Sequence, residues 1–194
     1  KGEFAGNIAI LIRTHTRCRQ VSKLLNNHGI NTYYHVEKLY DQSVIKDLIS
    51  MLNIWAKTEK ADHGLLRLLM KDNSHKQIAD LTNKYANEKT KSSLINYALS
   101  KHSGIRDQVK AIVQPIMSIK GDDTEKLVWH LIKIGKLYRQ NGEIDSLRKK
   151  LIWQSLNQFR KIVLTFCKNY NSVDILTFIK FIEVQWEVND EPLE

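Results

Sequence analysis

The order of hydrophobic and polar residues begins with a pattern typical of mixed α/β structure. A continuous apolar run, "IAILI" at residues 8–12, has the length and character of a strand buried on both faces. Apolar residues at helical spacing follow from Val21, and Gly29 stands where a left-handed helix C-cap belongs. Residues 30–36, "INTYYHV", are β-branched and aromatic and predict a second strand. The pattern therefore predicts a strand, a helix and a strand.

After residue 40 the apolar positions recur at helical spacing, and no further strand is indicated. The predicted helices cover residues 44–55, 61–70, 78–85, 94–99, 105–119, 127–137, 144–170 and 172–182. Pro115 should kink or end its helix. Asp122 and Asp123 should cap the helix that follows them, and Ser172 is the expected N-cap of the last helix.

The expected fold class is mainly α. A short α/β piece, the strand–helix–strand of residues 1–40, leads into an all-helical subdomain in residues 41–194. Because two strands alone do not make a stable sheet, we expect the rest of that sheet to lie outside this chain.

Composition indicates an ordinary folded protein from a reducing compartment. The 194 residues correspond to one domain or one and a half, with 42% hydrophobic and 26% charged residues. Cys18 and Cys167 are far apart and lack metal-ligand spacing, so neither a disulfide framework nor a zinc site is predicted. The opening "KGEFAG" shows no signal-peptide core, and no apolar run approaches the roughly 20 residues of a membrane span. We expect a cytoplasmic fragment of a longer protein.

The net charge points to polyanionic partners. Lys and Arg total 30 against 21 Asp and Glu, giving a formal charge of +9 and a pI near 9.5. Nucleic acid is the commonest partner of such a field, and an acidic membrane surface is the second. A charge that serves only solubility is the alternative.

The motifs of independent enzymes are missing from the sequence. There is neither a GxxxxGK[ST] loop nor a GxGxxG loop, so the chain alone cannot cradle a nucleotide. The seven histidines show no HExxH spacing, and metal binding is not predicted. No GxSxG elbow or organised Ser, His and Asp set is present.

Two basic segments could bind phosphate. Arg148, Lys149 and Lys150 begin a long predicted helix and could follow a DNA backbone, although a solvated helix face is the alternative. The segment "RTHTRCR", which begins at Arg13, directly follows the first predicted strand. Ligands bind at the C-terminal edge of parallel sheets, and a planar guanidinium suits phosphate well.

Residues 7–70 resemble the start of the C-terminal half of UvrD/Rep-type superfamily 1 DNA helicases. In that family a strand ending in Arg forms motif IV, a helix then ends in Gly-Ile, a short strand follows, and further helices enter the helical 2B subdomain. The corresponding segments here are "AILIR", "LLNNHGI", "TYYHV" and "IKDLISMLNIWAKTEKADHGLLRLL". The resemblance implies that residues 1–40 are a partial RecA-like subdomain 2A piece and that residues 41–194 are a 2B-like subdomain.

The resemblance also implies a role for Arg13. The motif IV arginine of the family contacts the γ-phosphate of ATP bound on the other RecA-like domain, where it stabilises developing charge. The full-length parent would use ATP and Mg²⁺, neither of which is expected on this fragment. DNA and the remaining helicase domains would be its partners, with no membrane. The fragment would help couple ATP hydrolysis to DNA movement and would have no activity alone.

The chain departs from the family after the "LLRLL" segment. The family often carries an "RGIG"-like stretch there that is implicated in duplex contact, whereas this chain has "MKDNSHKQIADLTN". Motifs V and VI and the Walker motifs are also missing. The resemblance leaves open whether the parent is a repair helicase or a helicase-nuclease. The competing hypothesis is a free-standing helical module that binds protein.

Overall fold

A computed structural model describes residues 8–13, 15–32, 38–71, 75–88, 92–102, 104–121, 123–137, 146–170 and 174–190. Within these ranges all regular structure is helical, which confirms the mainly α fold class. A short 3-10 helix, Leu39–Asp41, precedes the second α-helix. The α-helices are α1 (His15–Asn27), α2 (Ser43–Ala56), α3 (Ala61–Leu69), α4 (His75–Ala86), α5 (Leu94–Lys101), α6 (Arg106–Met117), α7 (Thr124–Ile134), α8 (Ser146–Asn169) and α9 (Ile175–Asp190). They belong to two compact units, Lys1–Lys38 and Leu39–Glu194.

The first unit contains α1, which ends as the sequence predicts. Gly29 has a φ of +77°, in the left-handed region that glycine adopts without steric cost. Its N–H donates to the Asn26 carbonyl at 3.0 Å, and the Ile30 N–H donates to the Leu25 carbonyl at 3.0 Å. These two bonds form a Schellman cap. The predicted left-handed C-cap at Gly29 is therefore confirmed.

The strand predicted for residues 8–12 is absent from the structure. The described backbone of residues 8–13 has no regular structure, and the side chain of Leu11 is 97% exposed. An apolar run becomes a strand only where a neighbouring strand pairs with it, and the described residues provide no such neighbour. Most of the second predicted strand falls on residues 33–36, which lie outside the described residues, and residues 30–32 are not in a strand. The strand–helix–strand part of the predicted fold class is thus corrected.

The second unit is built around α2. Nearly every α2 residue from Val44 to Ile54 is buried, and α3, α6, α7, α8 and α9 all contact this helix. A mainly apolar helix that is buried on nearly all sides must be enclosed by others, which explains the central position of α2. On one side, Trp55 donates its indole N–H to the Ile119 carbonyl at 3.1 Å.

The helix ends in the second unit follow local capping chemistry. Asp123 caps α7 as predicted, since its carboxylate accepts the Lys126 N–H at 3.1 Å, while Asp122 lies outside the described residues. Pro115 lies inside α6, which ends two residues later at Met117, as expected for a helix-breaking residue. Among the described residues, none of the helices combines the length and the apolar character that a membrane span requires.

The predicted start of the last helix at Ser172 is wrong. The helix α9 begins at Ile175, and Asp174 occupies the capping position. Its side chain accepts the Leu176 N–H at 3.3 Å, and its carbonyl accepts the Phe178 N–H at 3.1 Å. Asp and Ser cap helices about equally well, and here the side chain of Asp174 provides the cap. Ser172 itself lies outside the described residues.

Candidate nucleic-acid interface

The helix α8 concentrates positive charge. Its sequence contains six Lys or Arg residues and no Asp or Glu. Arg148, Lys149 and Lys150 are all exposed near its N-terminal end. Cations at this end oppose the helix dipole, which already places partial positive charge there. The three side chains therefore do not stabilise their own helix, and together with the helix terminus they create a positive field that would attract anions.

The neighbouring helix α7 adds an aromatic ring to this surface. The Arg160 guanidinium of α8 lies over the Trp129 ring of α7, with its Cζ atom 5.1 Å from the ring centroid. Its Nη2 also donates to the Glu125 carboxylate at 3.5 Å. A cation held over an indole face is attracted by the ring quadrupole. The stack consequently fixes both the guanidinium and the ring between the two helices.

A pocket of about 390 Å³ lies beside Trp129 on the outer face of α7. It is lined by Lys126, Trp129, His130 and Lys133, which share one face because they are three, four and seven residues apart. Both lysines and the histidine are exposed, whereas Trp129 is half-buried. The Lys126 ammonium lies 3.2 Å from the Asp123 carboxylate. The pocket thus combines one aromatic face with exposed cations.

Two titratable groups mark where α7 begins beside α8. The Lys126 backbone N–H holds the pKa of the Asp123 carboxyl below its usual value, because it donates a hydrogen bond to the ionised form. Burial raises the pKa of the Cys167 thiol, and the nearby carboxylates of Asp123 and Glu125 raise it further. A thiol of raised pKa is a poor nucleophile at neutral pH, so this end of the surface is not suited to thiolate catalysis.

The predicted site residues belong to different units. Arg13 is exposed at a bend in the first unit. Arg148, Lys149 and Lys150 lie in consecutive positions of α8 in the second unit. Trp129 is not among the site residues predicted from the sequence, and in the structure it is partly buried and packs against the hydrophobic core. The signal that could have identified it is the pattern "KLVWHLIK", which places Lys126 and Lys133 one turn either side of the indole on the same helix face.

A second pocket, of about 420 Å³, opens between α2 and α3. Ser43, Asp47, His63 and Arg67 are among its lining residues. Asp47 is fully buried and forms ion pairs with Arg67 and with Lys71. Asp47 offsets positive charge in this pocket, as Asp123 and Glu125 do beside Trp129. The exposed cations near the N-terminal end of α8 have no carboxylate on their own helix, so this end of α8 is the better candidate for binding a polyanion.

No group of three or more His, Cys, Asp or Glu side chains among the described residues is placed to hold a metal ion. Comparison with protein-family models, with curated proteins and with solved structures gave no match.

Proposed function

We propose that this chain is part of an ATP-dependent DNA helicase of the UvrD/Rep kind, in which it helps couple ATP hydrolysis to DNA translocation and unwinding. The observation that carries the proposal is the order of segments in residues 7–70, namely an apolar run ending in Arg13, a helix ending in Gly29 and Ile30, and the pair of helices that follows. Each segment alone is only moderately specific, whereas their order and spacing are more distinctive.

Local structure supports two parts of this comparison. The "LLNNHGI" segment ends α1 with a Schellman cap at Gly29, as a Gly-Ile helix end requires. The segment "IKDLISMLNIWAKTEKADHGLLRLL" forms α2 and α3, which pack against each other as the entry to a helical subdomain. In the parent, Arg13 would contact the γ-phosphate of ATP bound with Mg²⁺ on another domain.

The DNA contact would lie on α8. Each phosphate neutralised by Lys or Arg releases counterions, so the logarithm of the binding constant falls by about 0.9 for each tenfold rise in salt per phosphate. We expect the chain to bind forked DNA weakly, with a Kd of about 10⁻⁴–10⁻⁶ M, as is usual for non-specific contacts. The triple variant Arg148→Glu, Lys149→Glu and Lys150→Glu should bind DNA more weakly. The number of neutralised phosphates calculated from its salt slope should fall by about two to three.

Fluorescence anisotropy with labelled forked DNA at several salt concentrations measures both quantities. A matched control reverses one exposed lysine on each of α4, α6 and α9, through Lys76→Glu, Lys110→Glu and Lys180→Glu. Both triple variants change the net charge equally. An equal loss of DNA affinity in both triple variants would show that only net charge matters. The proposal that α8 is the DNA interface would then be wrong. If the chain binds a protein and does not bind DNA, the alternative hypothesis of a free-standing helical interaction module would be favoured.

A further inference from the structure

We infer that the pocket on the outer face of α7 stacks an unpaired base of single-stranded DNA against Trp129. This inference rests on the proposed DNA-binding function and assigns a ligand class to a second place in the same unit, the pocket on α7. The indole is half-buried, with the Arg160 guanidinium over its ring, and the same residue lines a pocket of about 390 Å³.

The surroundings of the indole match the chemistry of a nucleotide. A base offers a flat π-face for stacking, and its phosphate offers negative charge to nearby cations. Lys126 and Lys133 are seven residues apart, which corresponds to roughly 10 Å along the helix axis. A strand passing along α7 would thus meet a cation before and after the stacked base. Duplex DNA does not fit this role, because its base faces are covered by neighbouring bases.

The charge of the surface selects nucleic acid over an apolar partner. The exposed cations of α8 and Lys133 of the pocket favour a polyanion, while Lys126 and Arg160 are already paired with Asp123 and Glu125. An acidic peptide would satisfy the lysines but would offer a ring only where it carries an aromatic side chain. Every nucleotide of a single strand carries both a flat base and a phosphate, which favours a single strand at Trp129.

Trp186 provides a matched comparison within the same unit. It also has a cation over its ring, since the Lys46 ammonium lies 5.5 Å from the ring centroid. Tyr40, however, stacks on Trp186 with the centroids 6.2 Å apart and the planes only 18° from parallel. Each indole thus pairs with a cation and packs partly against the core, but Trp186 is also stacked by an aromatic ring, whereas Trp129 lines an open pocket between two lysines.

The test compares short oligothymidylate with an abasic strand of the same length and charge by fluorescence anisotropy. The wild-type chain should bind oligothymidylate more tightly than the abasic strand by about 5- to 100-fold, the usual range for one stacked base. Trp129→Leu should remove this preference and leave affinity for the abasic strand unchanged. Trp129→Phe should retain most of the preference, and Trp186→Leu should retain all of it.

Circular dichroism checks that each variant keeps its helices. If Trp129→Leu does not fold, the wild-type chain still provides a readout, because a stacked base should quench tryptophan fluorescence more strongly than the abasic strand does. Equal affinity of the wild-type chain for both strands, or an unchanged preference in folded Trp129→Leu, overturns the stacking site.

The α8 triple variant reports separately on the DNA contact, since it should weaken the binding of both strands alike. Absence of binding to any DNA would overturn both proposals.

Discussion

Asp47 is a fully buried carboxylate that joins α2 to α3. The Arg67 Nε donates to its Oδ1 at 3.0 Å, and the Lys71 ammonium donates to its Oδ2. The Arg67 Nη2 also reaches the Ser43 carbonyl at 3.2 Å. A buried charge is costly unless it is paired and hydrogen-bonded, and here both oxygens have cationic partners. The arrangement therefore fixes the angle between the two helices.

Replacing Asp47 with Asn should destabilise the helical unit. The amide keeps the shape but loses the charge, and hydrogen bonds to charged groups contribute about 1.5–3 kcal/mol. A loss of that size lowers Tm by about 2–4 °C per kcal/mol in a protein of this length. Thermal unfolding followed by circular dichroism measures the change. Asp41→Asn is the control, because its pair with Lys46 is partly exposed and worth less than about 1 kcal/mol. Equal effects of the two substitutions would contradict the role given to Asp47.

Replacing Arg13 with Ala should impair ATP hydrolysis in the full-length parent without unfolding it. The residue is exposed, so little packing is lost. A guanidinium that meets charge developing on the γ-phosphoryl oxygens is worth about 10³-fold or more in kcat. Arg13→Lys should restore activity only partly, because an ammonium lacks the planar fork. Steady-state DNA-stimulated ATPase assays measure this, and a normal rate in Arg13→Ala would mean that "AILIR" is not motif IV.

At the scale of secondary-structure elements, α2 and α3 approach each other closely at Gly64. A Cβ atom at this position would lie 2.8 Å from the Ser50 carbonyl oxygen, which belongs to the backbone of α2. Backbone atoms cannot turn aside as a side chain can, so the helices would have to separate. The glycine in "ADHGLLRLL" is thus required for packing.

Gly64→Ala should therefore destabilise the helical unit, although alanine is the better helix former by about 1 kcal/mol. Overpacking in a tight interface typically costs about 1–3 kcal/mol, and it also shifts the Asp47 ion pairs. Chemical denaturation measures the free energy of unfolding. In Gly104→Ala the new Cβ would meet only the His102 ring, at an ordinary 3.7 Å, so this control should stay within about 0.5 kcal/mol of the wild type. A stabilised Gly64→Ala chain would show that helix propensity outweighs the close contact.

At the scale of the whole molecule, the core belongs to the second unit. The buried hydrophobic residues of the described chain begin at Tyr40 and continue to Ile182. Phenylalanines at its centre pack between α8 and α9, with Phe166 and Phe178 centroids 5.1 Å apart. This core lies entirely within Leu39–Glu194, so its formation does not depend on the described residues before Leu39.

A chain reduced to residues 39–194 should fold with nearly unchanged thermal stability and should keep the DNA affinity and salt dependence of the whole chain. The reasons are that the core and the α7 and α8 surface both lie in this unit. Calorimetry and the same anisotropy titration measure these properties. A large fall in Tm would show that the first unit stabilises the second, and lost DNA binding at unchanged Tm would move the DNA contact to residues 1–38.

The sequence by itself determined the positions of the helices in the described chain and several of their ends. Apolar residues at helical spacing predict a helix whichever element later covers their face. Gly29 and Asp123 cap helix ends by acting on backbone groups only a few residues away. Such signals are local. The predicted strand at residues 8–12 failed because pairing with a neighbouring strand is not local, and the start of α9 failed because Asp174 caps it instead of Ser172.

Only the tertiary structure decided which side chains meet across the chain. Asp47 and Arg67 are twenty residues apart, and Trp129 and Arg160 are thirty-one apart, so no periodicity could pair them. The sequence therefore identified the basic start of α8 but not the contact between Trp129 and Arg160. Packing α7 against α8 placed the indole beneath Arg160 and beside exposed lysines. The physical reason is that a helix sequence specifies which face is buried, whereas the neighbour that covers this face depends on the packing of the whole unit.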